Sequence, residues 1–223
     1  MEQFRGLILV VWAAAALTGA PLAAFATDNP VTENPRPAAE NPGAEDPVDP
    51  HGNLSDPGQS SEKAAPSVDE LLDRLSKSTS KKEAAALERQ IVRAWNTSGS
   101  DTVDHMIMRA GSAIEARDFG GALQYLDTVV AMQPGYAEGW NMRATVYYLL
   151  DEYELSLSDI RQTLARQPRH FGALSGLGMI FRELDEPDQA LEAFRQVLEV
   201  HPYFGKARQS VEKLEKEVEG EEI

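Results

Sequence analysis

From Ser67 onward, apolar side chains recur at the three- and four-residue intervals of a helix face. Ser67-Val68-Asp69-Glu70 and Ser80-Lys81-Lys82-Glu83 both read as capping boxes, predicting helices over about 68–77 and 81–97. The second carries Ala84, Leu87, Ile91 and Trp95 on one face, and Trp95 is expected as a core anchor. The two helices together are expected to cap the helices that follow. At the other end, Ala207, Val211, Leu214 and Val218 predict an amphipathic helix over 203–219. Between these flanks the apolar pattern repeats itself. Pro134, Pro168 and Pro202 are 34 residues apart, and so are Leu123, Leu157 and Leu191. Small residues keep the same period at Ala110, Ala144 and Gly178, and at Ala122, Ser156 and Ala190. Larger ones do so at Leu126, Ile160 and Phe194.

A fixed period of this length points to stacked supersecondary units. The small residues allow two antiparallel helices, A and B, to approach closely. Trp140, Tyr147, Phe181 and Phe194 are expected to fill the space between neighbouring pairs. Each Pro ends a B helix, because it has no N–H to donate. The A-to-B turns fall at Asp118-Phe119, Glu152-Tyr153 and Asp185-Glu186-Pro187, the last with Pro at the first helical position.

The pattern resembles the tetratricopeptide repeat, whose 34-residue unit reads W-x2-L-G-x2-Y, then A, F and P. Three units align at about 103–136, 137–170 and 171–204. The second carries Trp140 and Tyr147, and the third carries Leu177-Gly178 and Phe181. Met106 and Ala113 stand where the first unit would have large aromatics, and Arg109 and Arg143 replace a leucine. The resemblance implies an all-α, right-handed solenoid of helix–turn–helix units spanning 102–204, with N-terminal helices in 67–101. The first of the three units is the one those helices are expected to cap. A capping helix and acidic tail fill 205–223.

The resemblance also implies a concave groove lined by the A helices. Its lining would include Asn141, Thr145 and Tyr148 in the second unit, and Ser175, Met179 and Arg182 in the third. The first unit would add Asp104, Ile107, Gly111 and Ile114. Such a lining suits a short extended or helical peptide. The family's Lys/Asn/Arg clamp for chaperone C-termini is missing, since its positions hold Ile107, Gly111, Met142, Gly172 and Gly176. Arg169 and His170, with Arg161 and Arg166, form a basic spot. They are expected to cap a helix C-terminus, the alternative being a seat for an acidic peptide.

The N-terminal pattern is of another kind. Arg5 precedes an uncharged apolar run, and Ala24-Phe25-Ala26 offers the small residues of a cleavage site. Residues 1–26 therefore read as a secretory signal cut after Ala26, the alternative being an uncleaved anchor over 6–26. Residues 27–66 hold eight of the chain's thirteen prolines, and eight acids against Arg36 and Lys63. Such a stretch buries too little apolar surface to offset its chain entropy and is expected to be a disordered stem. These features predict export to the periplasm of a Gram-negative bacterium, with no stable membrane span once the signal is cut.

Composition narrows the function. The chain has 223 residues, no cysteine and a formal charge of −15, which excludes thiolate chemistry and argues against nucleic acid as a partner. His51, His105, His170 and His201 have no zinc-enzyme spacing, and no nucleophile elbow, P-loop or dinucleotide fingerprint is present. Gly176 and Gly178 read as packing glycines within a helix. The expectation is a non-enzymatic scaffold or adaptor of the bacterial envelope, with no metal or cofactor, that binds a protein or peptide. A periplasmic ligand- or peptidoglycan-binding protein and a regulatory subunit of an envelope enzyme are the alternatives.

Overall fold

The computed structural model describes residues 66–221, which form nine helices. The expected signal (1–26) and all of the expected stem but Pro66 lie outside the described residues. In chain order the helices are α1 (Val68–Ser76), α2 (Lys81–Trp95), α3 (Asp101–Glu115), α4 (Phe119–Met132) and α5 (Ala137–Leu149). They continue with α6 (Tyr153–Arg166), α7 (Phe171–Glu183), α8 (Pro187–Val200) and α9 (Gly205–Glu221). Three antiparallel pairs, α3/α4, α5/α6 and α7/α8, stack in order, and α9 lies against α8.

The small residues sit where the helices cross. Ser156 is buried and its hydroxyl donates to the Ala144 carbonyl at 2.8 Å, tying α6 to α5. Gly178 lies under the Phe194 ring, where an added Cβ would stand 2.9 Å from two ring carbons.

The A-to-B turns share a feature that the sequence pattern did not announce. Arg117, Asp151 and Asp185 all adopt left-handed backbone, with φ of 59°, 62° and 60°. Each follows the end of an A helix. The next N–H reaches back to the third carbonyl from the end: Asp118 to Ala113, Glu152 to Tyr147 and Glu186 to Phe181, at 2.8–2.9 Å. This is the Schellman arrangement, which usually recruits glycine. Here Arg and Asp hold it, so no glycine marked it in advance.

Arg143 is explained by what it binds. Its guanidinium makes a two-pronged bond to Asp159 on α6, at 2.7 and 2.9 Å, and a third to Asp127 on α4 at 2.8 Å. Asp159 is buried, so the pair works in low dielectric. Bonding to Asp159 raises the Arg143 pKa further and keeps it charged. Trp140 departs from expectation. It is only half-buried, lying between the guanidinium groups of Arg143 and Arg166 at 5.0 and 5.1 Å, with its indole N–H on the Pro134 carbonyl.

The N-terminal pair is not placed where the sequence suggested. Its Leu71, Leu72, Leu75, Leu87, Ile91 and Trp95 share one buried core with Phe171, Leu174, Phe194 and Phe204 of the third repeat and its cap. The first repeat offers no such seat, because His105, Met108, Arg109 and Ser112 of α3 are exposed. Instead α2 follows the loops between repeats. Glu88 meets His201 at 3.3 Å, Trp95 stacks on His170 at 4.0 Å, and the Ser98 carbonyl accepts from Gln133 at 2.8 Å. Seven residues separate Glu88 from Trp95, a rise of about 10 Å, close to the spacing of packed helices. The helix thus crosses the stack as a strap.

Arg169 serves the strap too. It pairs with Asp69 and Asp73 of α1, so it neither caps α6 nor lies ready for an acidic peptide. His170 caps the N-terminus of α7 through Ala173 N–H. The Ser67 capping box is complete, whereas Glu83 of the second bonds the Thr79 N–H instead of the Ser80 N–H.

Two stability tests follow from these contacts. Arg143→Leu leaves Asp159 buried without its partner and is expected to cost about 3–5 kcal/mol in urea unfolding. The Arg143→Leu/Asp159→Leu double variant recovers much of that loss, so strict additivity would show the pair is not coupled. Trp95→Ala is expected to cost about 3–5 kcal/mol. Arg169→Ala, whose acid partners are well exposed, costs about 1 kcal/mol or less. Equal losses would mean that charge, not aromatic packing, holds the strap.

Candidate functional site

Helices α5 and α7 lie side by side, and the start of α9 closes their open edge into one pocket. Asn141, Thr145 and Tyr148 come from α5, and Ser175 and Met179 from α7. Each lies one helical turn from the next, so each points to the same side. The apolar part of the lining comes from Ala144, Ile160, Ala173, Ile180 and Phe204, and Gly176 leaves room for it. The cavity is about 70 Å³. That is well below the roughly 300 Å³ at which pockets for small molecules begin, and it suits a single aliphatic side chain.

The rim is polar and partly committed. The Thr145 hydroxyl donates to the Asn141 carbonyl at 3.0 Å. Asn141 Nδ2 donates to Glu138 Oε1 at 3.0 Å. The Tyr148 hydroxyl is 3.5 Å from Glu183 Oε1, and burial, then the Glu183 charge, pushes its pKa up. It therefore stays a neutral phenol through the physiological range. Lys206 brings a cation to the lining, and its partial burial lowers its pKa.

Of the six residues expected for the groove, five line this pocket. Arg182 does not. It stands on α7 beside Asp185, Pro187 and Lys213, facing a neighbouring cleft with α9. The first-repeat positions fail for a plain reason. Ile107, Gly111 and Ile114 are buried, with the two isoleucines in the core shared with α4 and α5. Asp104 instead accepts from the Ser98 N–H at 2.7 Å, holding the chain that joins the strap to α3. Lys206 and Phe204 were missed, yet the period contained them. Lys206 is 34 residues beyond Gly172, which is itself 34 beyond Glu138. Carrying the register one unit past the last repeat would have found it.

Among the described residues, no three His, Cys, Asp or Glu side chains gather as a metal site requires. No helix among them is long and apolar enough to cross a membrane.

Comparison with known proteins agrees with the fold. A family model of the tetratricopeptide repeat matches residues 107–160 and 150–203. A TPR repeat-containing protein of Rhizobium etli is 35% identical over 153 residues, covering 69% of this chain and 75% of that protein. The small glutamine-rich tetratricopeptide repeat-containing protein 2 of Saccharomyces cerevisiae is 26% identical over 93 residues. That match covers 42% of this chain but only 27% of the yeast protein. Among solved structures, the first TPR of Spaghetti bound to an HSP90 peptide aligns with a TM-score of 0.51 and 18% identity. The alignment covers 53% of this chain and 94% of that one. The Sgt2 TPR domain from Aspergillus fumigatus gives 0.51 and 16%, covering 54% of this chain and 81% of that one. Identities this low show the fold alone.

Two glycines two residues apart on α7 should respond with opposite signs. An added Cβ at Gly176 meets Ile160 at an ordinary 3.5 Å. Gly176→Ala is therefore expected to stabilise by about 0.5–1 kcal/mol through helix propensity while narrowing the pocket. Gly178→Ala collides with the Phe194 ring and is expected to destabilise by about 1–3 kcal/mol. In a Phe194→Leu background the Gly178→Ala penalty should shrink. Thermal unfolding of the four variants decides it, and equal signs at the two positions would contradict the geometry.

Proposed function

We propose, on the premise that the chain belongs to the tetratricopeptide-repeat family, that its solenoid is an adaptor that holds a peptide segment of a protein partner. Proteins of this family are generally protein-interaction scaffolds and typically act without catalysis. The carrying observation is the pocket between α5, α7 and α9, with its apolar lining, polar rim and room for one side chain. A neighbour in fold is bound to an HSP90 peptide. Our reading transfers only the binding of a short peptide, because the clamp positions here hold Met142, Gly172 and Gly176.

We place this adaptor in the bacterial envelope, exported to the periplasm of a Gram-negative cell. The signal-like pattern of residues 1–26 supports that placement, with a membrane anchor over 6–26 as the alternative arrangement of the same segment. The volume of this pocket speaks against its being a dedicated small-ligand site.

Ser175→Arg and Met179→Glu each put a charge into the pocket; Ser175 lies outside the apolar clusters, whereas Met179 packs against two of them. Affinity capture from an envelope extract, with each variant beside the wild type, is expected to lose the specific partner, while the unfolding free energy of Ser175→Arg stays within about 0.5 kcal/mol of wild type. Recovery of the same proteins by both variants would rule the groove out. Saturable titration with muropeptides at this pocket would favour the peptidoglycan reading instead.

A further inference from the structure

Side chains lying behind the groove set its hydrogen-bonding polarity. The fixed point is a backbone group. Ala173 N–H donates to His170 Nδ1 at 3.0 Å. A ring nitrogen that accepts carries no proton, so the neutral imidazole holds its proton on Nε2. Nε2 is 3.0 Å from Glu138 Oε2 and donates to it. The second Glu138 oxygen accepts from Asn141 Nδ2 at 3.0 Å. An ionised carboxylate can only accept, so the Asn141 NH2 must face Glu138 and its Oδ1 must face the groove. The chain of bonds starts from an N–H that cannot move.

The relay is also enclosed. His170 and Glu138 are 2% and 6% exposed. Trp95 of the strap covers the imidazole face, with rings 4.0 Å apart and 16° from parallel. Water therefore does not compete for the bond between His170 and Glu138, and that buried pair holds one arrangement. Thr145 adds to the effect, since its hydroxyl proton is committed to the Asn141 carbonyl. Two adjacent groove residues thus offer lone pairs and no proton.

We infer that Glu138 and His170 are positioning residues that lock Asn141 as a hydrogen-bond acceptor, so that the groove selects a peptide carrying an N–H donor beside an aliphatic side chain. The inference rests on the groove being the binding site. Proline at the donor position would be rejected, because it has no N–H.

The test uses the full chain and a phage-displayed random peptide library as probe. Peptides selected by wild type and lost by Met179→Glu define groove binders. Glu138→Gln is nearly isosteric. Its amide oxygen keeps the His170 proton, so its NH2 turns to Asn141, which must rotate and present NH2 to the groove. Wild-type peptides are expected to bind Glu138→Gln about tenfold more weakly, the scale of one lost hydrogen bond made against a mismatched donor. Panning on Glu138→Gln should return a different set that wild type binds about tenfold more weakly in turn. A merely structural role would weaken binding without any such reciprocal gain. Equal binding by both proteins, or weakening with no reciprocal set, overturns the inference and leaves the groove intact. Failure to find any peptide that Met179→Glu loses overturns both. Should Glu138→Gln fail to unfold cooperatively, nitrogen NMR of the wild-type imidazole decides the matter: a proton on Nε2 supports the relay and a proton on Nδ1 sinks it.

Discussion

The rest of the fold hangs on the seat of Trp95 between His170 and Phe171. Its ring lies 4.0 Å from the first and 4.9 Å from the second. Among the described residues, the apolar faces of α1 and α2 share one buried core with the third repeat and its cap. The charged contacts around it are weaker supports. Asp69 and Asp73 remain largely exposed, so their pairing with Arg169 adds direction more than free energy. Stacked repeats normally behave as a one-dimensional array in which each unit sees only its neighbours. Here Glu88 and His201, 113 residues apart in sequence, touch. That contact joins the start of the described chain to the end of the stack and makes opening of one end a matter for the other.

Helix α5 sits at the centre of two polar networks. On one side Arg143 gathers Asp127 and Asp159, linking three helices. On the other Glu138 gathers Asn141 and His170, linking the groove to the strap. Buried positions fall on every side of α5, which is why its apolar pattern is the least regular of the set. Buried polar groups of this kind carry a desolvation cost that only complete pairing offsets. The groove therefore combines an apolar floor with a rim held by fixed hydrogen bonds.

Most of the architecture was legible in the chain. The 34-residue period located all three helix pairs, and Ala110, Ala144 and Gly178 marked the crossings because close packing leaves a direct trace in side-chain size. The groove residues of the second and third repeats were legible by register. What escaped notice depends on partners far away in sequence. Arg143 looked like a lost leucine until Asp159 and Asp127 stood beside it. Arg169 and His170 looked like a basic spot, because nothing local reveals the acids of α1 or the ring of Trp95. The left-handed turns escaped for a different reason: Arg117, Asp151 and Asp185 adopt a conformation that sequence reading assigns to glycine. The first repeat lost its groove residues because Ile107 and Ile114 are apolar enough to be drawn into the core.

The strap also has a history in time. It is the first part of the described region to be synthesised, while Phe171, His201 and Phe204 that receive it come some 80 to 110 residues later. At typical elongation rates that interval is roughly 5–20 s. Through it the nascent helices carry leucines, an isoleucine and a tryptophan with nowhere native to put them. Docking of the strap is therefore a step that can only follow synthesis of the third repeat and its cap.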